Sequence, residues 1–151
     1  KTLVEMLSAI PDRHGYDVVF PVHPHTKKRL DEAGLWERLD SAQSMHLMKP
    51  VSYLTSLKLA KDAKLLMTDS GGLQKEAFIL GTPSVTLKRA TEWVETIEAG
   101  WNILAGVDPE KAERAVETLL RGPLKPVEPM KLYGEGKASQ RIARLVKEQL
   151  A

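Results

Sequence analysis

Short apolar runs alternate with amphipathic stretches along this chain. Leu3, Val4, Leu7 and Ile10 recur at helical spacing, which predicts a helix over Lys1 to Ile10, ended by Pro11. Asp17 to Val22 reads as a strand, with so little alternation that burial on both faces is expected; Pro21 falls at its C-terminal end. A helix from about Lys27 to Ala33 is stopped by Gly34, and Met45 to Met48 is a second strand. Val51 to Ala60 predicts a helix with Val51, Leu54, Leu57 and the stem of Lys58 facing inward. Leu65 to Thr68 is the third strand, Gly72 to Leu80 a helix closed by Gly81, and Ser84 to Leu87 the fourth strand. A short helix from Glu92 to Ala99, closed by Gly100, leads to a fifth strand, Asn102 to Ala105. Asp108-Pro109 is an N-cap followed by proline at the first helical position, and that helix reaches Arg121. Gly122 to Met130 holds three prolines and is expected to be extended. Tyr133 to Gly136 is a turn and Lys137 to Leu150 a terminal helix.

Strands alternating with helices at this spacing predict an α/β fold with a doubly wound parallel sheet. In such sheets ligands bind beyond the carboxyl ends of the strands. His23, Lys49-Pro50, Ser70-Gly71-Gly72 and Lys88-Arg89 each follow one of the first four strands.

The bulk properties narrow the picture by exclusion. With 151 residues, 42% hydrophobic and 28% charged, the chain matches one soluble globular domain with a real core. A net charge of +2 without a basic run gives no reason to expect nucleic acid. No apolar stretch is long enough for a membrane span. The absence of cysteine excludes disulfides and thiolate metal sites, and fits a cytoplasmic protein. The chain starts at Lys1, inside a helical pattern, which suggests a piece of a longer protein.

The stretch Leu65 to Ala77 carries the clearest candidate chemistry. A strand that turns through Ser70-Gly71-Gly72 into a helix aims backbone N–H groups and the positive end of the helix dipole at one point. The glycines allow close approach, and Ser70 adds a hydroxyl donor. Glu76, about one turn on, can accept hydrogen bonds from neighbouring ribose hydroxyls. These features read equally as a phosphate cradle or as an ordinary tight turn with Glu76 solvated. His23 can carry charge opposite a phosphate or pass a proton to a leaving group, and can equally bond a loop carbonyl. His25 and His46 share no ligand spacing with it, so no metal is expected. Lys88 and Arg89 can reach a diphosphate or stay solvated, and Tyr53 can stack on a base or pack. Glu92, Glu95 and Glu98 read as a wet helix face, and Trp93 and Trp101 as core or interdomain contacts.

Four motifs in order resemble the C-terminal half of the non-hydrolysing UDP-N-acetylglucosamine 2-epimerases. They are Pro21-Val22-His23-Pro24; Thr68 to Ala77 with Leu80-Gly81-x-Pro83; Thr91-Glu92 with Glu98-Ala99-Gly100; and Tyr133 to Ile142. The resemblance implies one Rossmann-like domain of a two-domain glycosyltransferase-type fold, with the N-terminal domain and its acid/base carboxylates absent from this chain. It implies UDP elimination from the sugar and re-addition with inversion at C2, needing no cofactor, in a cytoplasmic homodimer that serves cell-surface polysaccharide synthesis. Ser70, Gly71 and Gly72 would then hold the diphosphate of a UDP-sugar, Glu76 the ribose and Lys88 the charge beside them, with His23 assisting the departing phosphate. Two positions depart from the family pattern. Ser56 stands where an aromatic residue usually flanks the uracil, and Lys88-Arg89 replaces an Arg-Asp pair, losing a bidentate fork and reversing a charge. A hydrolysing epimerase half and a non-catalytic nucleotide-sugar-binding domain are the alternatives.

Overall fold

The computed structural model describes residues 1–150. It is an α/β structure whose strands all run parallel: β1 (Val18–Pro21), β2 (Met45–Met48), β3 (Leu66–Thr68), β4 (Ser84–Thr86) and β5 (Asn102–Leu104). Their hydrogen bonds form two ladders, β1-β2 and β3-β4-β5. Before, between and after them come α1 (Thr2–His14), α2 (Pro24–Glu32), α3 (Trp36–Asp40), α4 (Tyr53–Asp62), α5 (Gly71–Leu80), α6 (Val94–Glu98), α7 (Pro109–Arg121), α8 (Pro129–Leu132) and α9 (Ala138–Gln149).

α1 spans the break between the ladders. Its Met6 and Ile10 join Val85 of β4 and Ala112, Ala115, Val116 and Leu119 of α7 in one apolar cluster. Val4 and Leu7, on the neighbouring stripe, pack with Leu39 and Met45 against β1 and β2. Met67 of β3 touches both clusters. One helix with two apolar stripes thus staples the halves together, by burial that scales with the apolar area removed from water.

Several sequence expectations change here. Pro11 does not end α1; the helix runs on to His14, closed by Gly15 at φ 66°. A proline inside a helix costs about 3 kcal/mol, but Pro11 is itself buried, and the extra turn brings Arg13 and His14 onto Glu113 of α7 at 3.0 and 2.9 Å. β1 is not buried on both faces, since Val19 is 48% exposed. The fully buried strand is β4, the middle of its ladder. On α4 the expected inward face is only partly kept: Leu57 is half-buried, but Leu54 is 75% exposed and Lys58 pairs with Asp62 in solvent, while Ala60 is buried. α3 and α8 are absent from the sequence reading, each being too short to show a period. α9 has no buried residue, and Ile142, Leu145 and Val146 stay exposed. No helix among the described residues is long and apolar enough to cross a membrane.

Candidate functional site

The turn after β3 is built by side-chain hydrogen bonds to the backbone. The Ser70 N–H donates to Thr68 Oγ1 at 3.0 Å, folding Thr68-Asp69-Ser70 tightly. Ser70 is the N-cap of α5: its Oγ accepts from the Leu73 N–H at 3.4 Å, and its carbonyl accepts from the Gln74 N–H at 3.2 Å. The first helical N–H groups have no carbonyl to reach. Of those at this end, the Gly71 and Gly72 N–H groups are left without an acceptor among the described residues. They point outward with the dipole behind them.

The two glycines differ. A Cβ on Gly71 would overlap Glu92 Oε1 and lie 3.6 Å from Trp93 Nε1, so its missing side chain makes room for the loop after β4. A Cβ on Gly72 would meet nothing within 4 Å. Gly72 is therefore the open face of the cradle. Glu92, read as part of a wet helix face and as half of the Thr91-Glu92 motif, brings its Oε1 against Gly71 at the helix terminus.

Glu76 lies one turn along α5, and the Tyr53 hydroxyl donates to its Oε1 at 2.9 Å. The Glu76 acceptor raises the phenol's pKa above its ordinary value. Oε1 is thereby engaged, and Oε2 has no hydrogen-bond partner among the described residues. Lys88 is exposed on the loop after β4; the Leu87 N–H donates to the Thr68 carbonyl at 2.8 Å, which anchors Lys88 beside the cradle strand. Arg89 leans instead toward Gly106 after β5, where a Cβ would meet its Cγ at 3.8 Å. His23 belongs to the other ladder. It caps α2, with Nδ1 accepting from the His25 N–H at 3.2 Å. In the neutral ring that assigns the proton to Nε2, which is then a donor. The structure thus groups Ser70, Gly71, Gly72 and Glu92, sets Glu76 and Lys88 at their flanks, and places His23 at the end of β1.

Beneath the cradle runs a buried polar network to which the sequence reading assigned no role. Gln74 is 0% exposed, and its Oε1 accepts from Thr91 Oγ1 at 2.7 Å and from Asn102 Nδ2 at 3.3 Å. Asn102 also donates to Thr96 Oγ1 at 3.0 Å and accepts from Thr86 Oγ1 at 2.8 Å. Thr91 Oγ1 in turn accepts from the Trp93 N–H at 3.1 Å. These bonds fix the first turn of α5 to β4, β5 and the loop carrying Glu92. Alongside, Lys75 Nζ lies 4.7 Å from the Trp93 ring centroid and 4.4 Å from that of Tyr133. Burial, with the Glu95 carboxylate nearby, pushes the Tyr133 phenol pKa up. The only sequence signal for this network was the spacing of Gln74 and Thr91 within the quoted motifs.

A concavity of about 320 Å³ lies elsewhere, lined by Arg13, Pro109, Glu110, Glu113 and Arg114. Near it His14, Glu113 and Glu117 have ligand-type atoms within 4.8 Å of one another. His14 bonds Glu113, and Arg13 and Arg121 hold the two carboxylates, so the group acts as a clamp between α1 and α7.

Parallel strands crossed by helices, with a glycine-opened helix at the carboxyl end of β3, define a Rossmann-like α/β domain. The profile of the UDP-N-acetylglucosamine 2-epimerases matches residues 1–147, and the chain belongs to that family. It is 42% identical over 146 residues to a UDP-N-acetylglucosamine 2-epimerase of Methanocaldococcus jannaschii, covering 97% of this chain and 39% of that protein. A Pseudomonas aeruginosa relative, a UDP-2,3-diacetamido-2,3-dideoxy-D-glucuronate 2-epimerase, is 40% identical over 126 residues, 83% of this chain and 33% of its own length. The crystal structure of the Methanocaldococcus jannaschii enzyme in complex with UDP-GlcNAc and UDP superposes with a TM-score of 0.87 at 41% identity, over 97% of this chain and 40% of that one. The chain therefore spans about two fifths of the length of these relatives.

Proposed function

We propose that this chain is the UDP-binding half of a UDP-N-acetylglucosamine 2-epimerase. The carrying observation is the pair of unpartnered N–H groups at Gly71 and Gly72, in a chain similar throughout to a protein crystallised with UDP-GlcNAc and UDP. The diphosphate rests on Gly71, Gly72 and the Ser70 hydroxyl, with Lys88 balancing its charge. Glu76 accepts from the ribose hydroxyls with the oxygen that Tyr53 leaves free. His23 donates from Nε2 to the phosphate as the bond to C1 of the sugar breaks. A base from the other domain removes the C2 proton, giving a glycal-like intermediate and UDP. Re-addition of UDP at C1, with a proton delivered to the opposite face of C2, completes the inversion. The elimination uses no redox carrier, and the full protein works as a cytoplasmic homodimer.

The exposed ring of Tyr53 lies one turn before Ser56 on α4, and supplies the aromatic surface that Ser56 cannot offer the uracil. The test is product analysis with the full-length protein in deuterated water. UDP-N-acetylmannosamine carrying deuterium at C2 supports the reading. Free N-acetylmannosamine with UDP identifies the hydrolysing reaction, and UDP binding without turnover identifies a non-catalytic domain. For the isolated chain we expect weak UDP binding and no epimerisation; measurable turnover would contradict that.

A further inference from the structure

A carboxylate against a phosphate cradle is a charge in the wrong place for anion binding alone. Glu92 is in that position: its Oε1 occupies the space where Gly71 lacks a side chain. It makes no ion pair or hydrogen bond among the described residues. The nearest cation of α5, Lys75, is turned onto the Trp93 and Tyr133 rings. The loop holding Glu92 is fixed from both sides, by Thr91 on Gln74 and by the Trp93 N–H on Thr91. Its placement is thus imposed by the buried network beneath it.

Resting on the diphosphate reading above, we infer that Glu92 is a specificity residue that reads the sugar attached to the terminal phosphate. A carboxylate is an acceptor only, so the group it faces must offer donors: sugar hydroxyls or the N–H of an acetamido group. The same charge works against a bare nucleoside diphosphate. The terminal phosphate of UDP has a second ionisation near pH 6 and so carries about one more negative charge at pH 8 than a sugar diester. Glu92 therefore favours the sugar-bearing nucleotide over free UDP by acting on the two ligands in opposite directions. Asp69, the other exposed carboxylate of the turn, lies before the N-cap and lacks this contact with Gly71.

The test is titration of UDP and of UDP-N-acetylglucosamine, separately and at pH 8, into the chain and its Glu92→Gln and Asp69→Asn variants, with thermal melts to check folding. In Glu92→Gln, UDP is expected to bind a few-fold tighter and the UDP-sugar about tenfold weaker. In Asp69→Asn the two ligands are expected to move together. Parallel changes in Glu92→Gln, or the same split in Asp69→Asn, would overturn the assignment. Unchanged binding of both ligands would do so too. If the wild-type chain binds neither ligand while remaining folded, the diphosphate reading fails, and this inference with it.

Discussion

Two helix N-termini in this molecule are built to opposite ends. At the start of α7, Asp108 is both N-cap and counter-charge: its Oδ1 accepts from the Lys111 N–H at 3.1 Å. Pro109 removes a second N–H, and Glu110 adds an acid to the first turn. That end is finished by its own sequence. At the start of α5 the cap is a neutral serine with a long bond of 3.4 Å, the first turn holds no acid, and glycines occupy the next two positions. Its N–H groups remain unused and its dipole uncompensated, except by Glu92 from a distant loop. A helix terminus stays open when the residues that would close it are left out. What replaces them is a floor, the Gln74 network, which holds the open terminus rigid.

The contrast can be broken or sharpened by substitution. Gln74→Ala should have the largest effect, because it orphans Thr91 and the Asn102 amide in a buried site. A loss of about 2–4 kcal/mol is expected, measured by urea unfolding, with UDP binding lost as the first turn of α5 loosens. Asp108→Ala should cost about 1 kcal/mol by removing the α7 cap, with UDP binding unchanged. Gly72→Ala should separate the two properties. It has room, and should stabilise α5 by about 0.5–1 kcal/mol while its methyl blocks the diphosphate and weakens UDP binding more than tenfold. The smallest effect concerns Tyr53. Its phenol, raised in pKa by the bond to Glu76, should titrate lower in Glu76→Gln, back toward the ordinary value near 10. Absorbance at high pH reads this directly, and an unmoved curve would show that the bond does not persist in solution.

The visible and hidden parts of this site divide by range. Strands and most helices were legible because each follows from a local period, and Ser70-Gly71-Gly72 because capping and glycine sterics act within one turn. Pro11 misled because its local cost is outweighed by α1–α7 contacts between residues a hundred positions apart. The break between the two strand ladders, and the helix that staples it, leave no mark in any single segment. Glu92 read as a solvated helix residue because its meaning depends on Gly71, and that contact exists only after β4 has paired with β3. The Gln74 network is of the same kind, with members on α5, β4, α6 and β5.

The central claim is that the N-terminus of α5 is the diphosphate site, and backbone amide NMR tests it most directly. UDP titrated into the labelled chain should shift the Gly71 and Gly72 amide resonances, leaving those of Glu110 and Lys111 at the finished terminus of α7 in place. Shifts confined to other segments, or equal shifts at both termini, would contradict the account.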